Sequence, residues 1–326
     1  MIITRTPYRV SFFGGGSDYF RWYSEHGGAV LTTTIAKYCH LSVRYMPAFL
    51  GAKYSVCYAK MERVNTLAEM QHVGVRGCLE YLNVTEGFEV NHAGDLPARS
   101  GLGSSSAFTV GMLHAIHSLR GRYVGKVELA RQAVEVEQDV LKETVGIQDQ
   151  IACAHGGLNL IEIARDGSYS VQPVTIPAAR RDELQSRLML FFTGLQRNAS
   201  EIASAQVDNV DRKETELKAI QAMVPRAMRE LVDGSLNEFG RLLHESWMLK
   251  RELSDKVTNP AIDAIYTRAI EAGALGGKLL GAGGGGFMMF YVPPLRQPDV
   301  REALSALLDI PVRFENAGSQ VVLYDP

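Results

Sequence analysis

Three glycine-rich stretches constrain this chain more than any other feature, because each marks a place where the backbone must come close to something. The most informative is Leu96-Pro97-Ala98-Arg99-Ser100-Gly101-Leu102-Gly103-Ser104-Ser105-Ser106-Ala107. It follows β-like sequence and opens the helical run Phe108–Leu119. Glycines let a backbone curl around an anion, and a new helix offers unpaired N–H groups with a partial positive charge. The hydroxyls of Ser104, Ser105 and Ser106 can add hydrogen bonds or a metal contact. An ordinary loop ending in a serine N-cap would use the same residues. The stretch is not a GxxxxGK[ST] loop. Gly277-Lys278 comes nearest to one, but Ala272 and Leu279 stand at the required Gly and Ser/Thr positions.

The second stretch, Gly281-Ala282-Gly283-Gly284-Gly285-Gly286, matches GxGxxG on paper. A dinucleotide fingerprint lies between a strand and a helix. Here the glycines precede Phe287–Val292, a short apolar run stopped by Pro293-Pro294, which predicts a strand. So many glycines are costly in chain entropy, roughly 0.5–1 kcal/mol each relative to Ala. They point to close approach by a ligand or by another backbone. The third stretch, Gly14-Gly15-Gly16-Ser17-Asp18-Tyr19, follows the strand Tyr8-Arg9-Val10-Ser11-Phe12. A plain hairpin explains it as well as a substrate loop does. Arg9 lies on that strand's polar face, opposite Tyr8, Val10 and Phe12.

Helical periodicity covers 104–120 and 127–144. In the second helix the apolar stripe Ala130, Ala133, Val134, Val140, Leu141 places Glu137 in its middle. A buried carboxylate costs several kcal/mol unless a cation or donors compensate it. Either a Glu–Arg pair or a divalent cation would serve, and Mg²⁺ favours one or two carboxylates with hydroxyl and phosphate oxygens. Twelve residues on, Asp149 in Gly146-Ile147-Gln148-Asp149-Gln150 begins a mostly apolar segment. It is a candidate base or anchor, or an ordinary helix N-cap. His114 and His117 are three apart with no HExxH partner, which predicts an ordinary helix surface.

Strands are expected at 29–45, 54–59, 88–90, 158–163 and 187–192. Helices dominate from 198 to 273, notably 235–250 and 261–271, followed by the strand at 287, a helix at 297–308 and two short closing strands. This order in 326 residues predicts an α+β protein of two domains, 1–190 and 191–326, with a seam near 180–195. The formal net charge of -2 argues against a nucleic-acid or anionic-membrane surface. No apolar run approaches the roughly 20 residues needed to span a bilayer. The N-terminus lacks an apolar signal region, and Cys39, Cys57, Cys78 and Cys153 form no CxxC pair, so a cytoplasmic protein is expected.

Taken together, these stretches resemble the GHMP small-molecule kinases, and the likeness runs end to end. Pro7 to Tyr19 is similar to their first motif. Pro97 to Ala107 is similar to their PxGxGLGSSA phosphate loop, with Arg99 in place of the usual early Gly. Gly281 to Gly286 is similar to their GAGxGG motif. The resemblance implies a ribosomal-protein-S5-like N-terminal domain, a ferredoxin-like C-terminal domain, and an active site in the cleft between them. It implies ATP held by Pro97, Ser100, Gly101, Leu102, Gly103, Ser104, Ser105 and Ser106, and Mg²⁺ held by Ser105 and Glu137. Asp149 corresponds to a catalytic aspartate and Arg9 to the arginine beside it, while Asp18 corresponds to a sugar-hydroxyl ligand. The substrate side would also include Gly15, Gly16, Ser17, Tyr19, Gly146, Gly283 and Gly284.

Galactokinases carry Glu-His where this chain has Gly15-Gly16, which enlarges the acceptor end and suits a longer or phosphorylated sugar. Ile2 to Tyr19, Gly146 to Gln150 and Phe192 to Ser200 look most like the family's D-glycero-D-manno-heptose 7-phosphate branch. That likeness implies phosphorylation of the anomeric C1 hydroxyl, feeding GDP-heptose and surface polysaccharide, with Arg197 on the distal phosphate. An L-fucose or hexose kinase is the alternative, and a homodimer is compatible. A non-catalytic ATP and sugar sensor would show damage at Asp149, Glu137 or the serine loop, and the sequence shows none.

Overall fold

The computed structural model describes residues 1–98, 100–195 and 199–325. Its first sheet is built around two long strands, β1 (Ile2–Phe13) and β2 (Gly28–Tyr45), paired antiparallel. Runs such as Val30-Leu31-Thr32-Thr33-Thr34-Ile35 are rich in β-branched residues, which suit a pleated surface covered on a face. β2 is long enough to serve two partners. Its C-terminal half pairs with β5 (Phe88–Gly94), which leads to β3 (Tyr54–Cys57) and β4 (Met61–Val64). Its N-terminal half pairs with β6 (Leu158–Ile163), which leads to β7 (Tyr169–Pro173). A second sheet contains β8 (Leu188–Phe192), β9 (Gly276–Leu279), β10 (Phe287–Tyr291) and β11 (Leu308–Ile310), in the order β11-β8-β10-β9. The last strands, β12 (Phe314–Glu315) and β13 (Gln320–Tyr324), return to the first sheet against β2 and β1.

The expected boundary at 190/191 therefore falls inside β8, a strand wholly of the second sheet. The closing strands, expected in the second domain, pair with the first. Pairing between residues about 300 positions apart leaves no local periodicity to read.

The helices are α1 (Phe20–His26), α2 (Val73–Tyr81), α3 (Ser104–Leu119), α4 (Lys126–Glu135), α5 (Gln148–His155) and α6 (Ala178–Ser186) in the first half. They continue as α7 (Ala199–Asp208), α8 (Glu214–Val232), α9 (Leu236–Arg251), α10 (Pro260–Glu271) and α11 (Gln297–Ala303). The presence of α1 after the first glycine stretch rules out the simple hairpin. The helix expected over 127–144 stops at Glu135 and continues as one π-turn, Val136–Val140. The wider turn re-aims the side chains that follow, and such turns recur at functional sites. The two sheets share one continuous core at the end of β1, where Phe12 and Phe13 meet Phe239 of α9 edge-to-face at 5.5 and 5.1 Å. Each such pair contributes about 0.5–1.5 kcal/mol beyond its area. This contact fixes the far end of β1, and with it Arg9, against the second domain.

Candidate active site

The serine–glycine loop enters α3 as expected. Gly103 is the N-cap, no side chain caps the helix, and no acidic residue lies in its first turn. The partial positive charge of that end is thus left for a ligand. Behind the loop lies the second glycine-rich stretch. A Cβ on Gly101, whose φ is +83°, would meet the Leu280 carbonyl at 2.4 Å, and one on Gly281 would meet the Gly101 Cα at 2.5 Å. Only glycine on both sides allows two backbones this close. Phe287 N–H donates to the Ser100 carbonyl at 3.2 Å and completes the seam. Lys250 on α9 fixes the same turn by donating to the Leu279 and Gly281 carbonyls at 2.9 and 2.5 Å.

The 281–286 glycines accommodate backbone. A Cβ on Gly283 would strike the Val257 backbone at 2.8 Å. Gly284 N–H donates to the Val257 carbonyl at 2.9 Å. Of the two explanations open for this stretch, close approach by another backbone describes both residues.

Arg9 ties strand, loop and helix together. Its Nε and Nη2 donate to the two carboxylate oxygens of Asp149, each at 2.6 Å. Its Nη1 donates to the Gly101 carbonyl at 2.8 Å, and its backbone N–H to the Leu102 carbonyl at 3.0 Å. A forked, charge-assisted pair of this kind fixes both members in orientation. Ile147 is the N-cap of α5 and Asp149 lies in its first turn. Its carboxylate is therefore engaged with Arg9, and the N-cap alternative is not realised. The Asp149 side chain keeps 24% exposure against 5% for Arg9, so it has an open side.

Asp18 is buried on the first loop, accepting from Gly16 N–H at 3.1 Å and Gln148 N–H at 3.4 Å. Burial and then the nearby Asp149 charge push its carboxyl up, against hydrogen bonds from Gln148 and Gly16. A Cβ on Gly146 would lie 1.9 Å from the Asp18 Oδ2, so glycine is what lets the 146–148 segment close over this acid. Tyr19 faces the same two carboxylates, and burial followed by their charges pushes its phenol up. Ser17 is buried and donates to the Gly14 and Ala29 carbonyls at 2.8 and 3.0 Å. It shapes the loop, and its hydroxyl is spent inside the fold.

Glu137 is fully buried on the π-turn. Its Oε2 accepts from Ser106 Oγ at 3.0 Å and Gln150 Nε2 at 2.6 Å, while Oε1 has no hydrogen-bond partner among the described residues. Burial, then the charge of Glu143, pushes its carboxyl up to about 8. Among the described residues no arginine pairs with Glu137. The orphaned oxygen and neighbouring hydroxyls fit a hard divalent cation, which favours oxygen donors and leaves positions for phosphate. Ser105, expected to be the second ligand, has its side chain exposed, and the hydroxyl facing Glu137 is that of Ser106. One residue along a helix is a rotation of about 100°, enough to exchange their faces.

His114 and His117 are not on the surface as expected. His117 is buried against Gln132 at 2.7 Å, and His114 meets Ser319 at 3.0 Å. Arg197 lies outside the described residues. Sequence reasoning placed Ser106 on ATP and not against Glu137, and it missed Gln148, Gln150 and Lys250 as parts of the site. A cavity of 660 Å³ lined by Trp22, Val224 and Met228 among others includes none of Arg9, Asp18, Glu137 and Asp149 in its lining.

An uncapped helix end meeting a clamped aspartate and an orphaned buried acid suits movement of a phosphoryl group onto a hydroxyl. The class so defined is a small-molecule phosphotransferase. Residues 68–157 match the GHMP kinases N terminal domain and residues 227–310 the GHMP kinases C terminal domain. The D-glycero-alpha-D-manno-heptose 7-phosphate kinase of Campylobacter jejuni is 30% identical over 314 residues, 93% of each chain. This chain belongs to the GHMP kinase family. The L-fucokinase/L-fucose-1-P guanylyltransferase of Bacteroides fragilis is 27% identical over 87% of this chain, which spans 34% of that longer protein. The crystal structure of a D-glycero-D-manno-heptose 1-phosphate kinase from Bacteroides thetaiotaomicron shares the fold over 100% of both chains, with a TM-score of 0.82 at 24% identity. Among the described residues no helix is long and apolar enough to cross a membrane.

Proposed function

We propose that this chain transfers the γ-phosphoryl group of ATP to the anomeric C1 hydroxyl of D-glycero-D-manno-heptose 7-phosphate, giving the 1,7-bisphosphate and ADP. The observation that carries the chemistry is the forked Arg9–Asp149 pair anchored to the Gly101 carbonyl. Likeness to the Campylobacter jejuni enzyme supports the acceptor.

The loop from Pro97 to Gly103 and the α3 N-terminus would receive the phosphates. Glu137, with a serine hydroxyl of the 104–106 run, would hold Mg²⁺. When bound, that cation supplies charge neutralisation on the phosphate oxygens. Asp149 accepts the proton of the attacking hydroxyl as the new O–P bond forms and the bond to ADP breaks. Arg9 keeps the carboxylate aimed, and Asp18 accepts a hydrogen bond from a neighbouring sugar hydroxyl. Base assistance is worth about 10²–10⁴-fold. Placement of the reactants and charge stabilisation supply the remainder.

A coupled ADP-release assay over heptose 7-phosphate, L-fucose and galactose tests this reading, with the product's linkage read by phosphorus NMR. The phosphorylated heptose should be the best substrate, with a second phosphoester at C1. Turnover of free L-fucose but not of the sugar phosphate would replace this reading with the fucokinase one, which the Bacteroides fragilis relative supports. The assignment of Arg197 to the distal phosphate rests on sequence likeness. Arg197→Ala should raise KM for heptose 7-phosphate at least about tenfold while leaving that for ATP nearly unchanged, and equal small effects would remove it.

A further inference from the structure

β1 and α5 each contribute one member of the Arg9–Asp149 pair, and each presents a second polar side chain beside it. Ser11 lies two residues beyond Arg9, on the same face of the strand. Gln148 immediately precedes Asp149. Both are more than nine-tenths buried, Ser11 at 7% and Gln148 at 8% exposure. Yet among the described residues Ser11 Oγ and Gln148 Oε1 have no hydrogen-bond partner. The two side chains also flank one position. A Cβ added to Gly15 would lie 3.7 Å from Ser11 Oγ and 3.8 Å from Gln148 Nε2. Asp18 joins them through the Gln148 N–H at 3.4 Å.

We propose that Ser11 and Gln148 are specificity-determining residues that bind hydroxyls of the sugar acceptor adjacent to the reacting one, above a floor left bare by Gly15. Gln148 Oε1 accepts from one hydroxyl, and Ser11 Oγ donates to or accepts from another. A buried acceptor left unmade is costly, so these atoms favour a polyol over an acceptor without vicinal hydroxyls. The inference rests on the sugar-kinase reading and deepens it, by adding two residues that select the acceptor.

Gly15→Ala is a clean steric probe. Its backbone is not in the left-handed region, and the added methyl makes only ordinary contacts. The experiment measures KM for the acceptor and for ATP separately in wild type, Ser11→Ala, Gln148→Leu and Gly15→Ala, with thermal unfolding as a check on folding. The acceptor used is whichever sugar or sugar phosphate the wild type turns over best. Each variant should raise the acceptor KM about tenfold and leave the ATP KM within about twofold. Acceptor KM values within about twofold of wild type in the folded variants, or equal rises for both substrates, would overturn the proposal. A wild type that prefers an unphosphorylated sugar refutes the heptose reading alone. A wild type that phosphorylates no sugar refutes both.

Discussion

Replacing Glu137 by glutamine separates the stability of this fold from its chemistry. The carboxyl is fully buried with an unpartnered oxygen, and its folded-state value is pushed up to about 8 from 4.5. Between those values the unfolded chain releases the proton while the native protein retains it. Native protein then binds more protons than unfolded, so stability falls as pH rises through this window. Each unit is worth about 1.4 kcal/mol, so from pH 5 to pH 7 wild type should lose about 2–3 kcal/mol relative to Glu137→Gln. The glutamine carries no such charge, and its oxygen can still accept from Ser106 and Gln150. Urea unfolding of both proteins without divalent cations at pH 5, 6, 7 and 8 reads the difference directly. The variant should be the more stable at pH 7 and nearly inactive. Adding Mg²⁺ should narrow the gap by stabilising the ionised wild-type carboxylate. A gap that stays flat with pH, within about 0.5 kcal/mol, would refute the description of Glu137 as a buried acid that holds its proton well above the usual carboxylate range.

Two further substitutions probe the framework around the reacting groups. Gly146→Ala puts a methyl 1.9 Å from the Asp18 carboxylate. It should displace that acid and lower kcat/KM for the sugar about 10²-fold, with a smaller change in ATP binding. Lys250→Met removes the amino group that holds the Leu279 and Gly281 carbonyls behind the phosphate loop. It should raise KM for ATP about tenfold, while the acceptor KM is the less affected of the two.

Much of the site was legible because its chemistry is local. The helix-opening loop, the strand carrying Arg9 and the apolar stripe around Glu137 each announce themselves within a dozen residues. What remained hidden depends on contacts between distant segments. Nothing near Gly281 or Gly283 distinguishes a ligand from the Gly101 and Val257 backbones that lie against them. The return of β13 to β1 pairs Tyr324 with Ile2 and is invisible to any periodicity. Ser105 and Ser106 are chemically identical, and only the rotation of α3 decides which one meets Glu137. Ser11 and Gln148 read as ordinary polar residues until the fold buries Ser11 Oγ and Gln148 Oε1 without a hydrogen-bond partner among the described residues.

The decisive measurement is turnover by Asp149→Asn, made once the substituted protein is known to unfold at the wild-type temperature. With the forked carboxylate exchanged for an amide that cannot take up the hydroxyl proton, kcat should fall by about 10²–10⁴-fold while ATP still binds. A folded Asp149→Asn enzyme working near the wild-type rate would contradict the reaction centre described here.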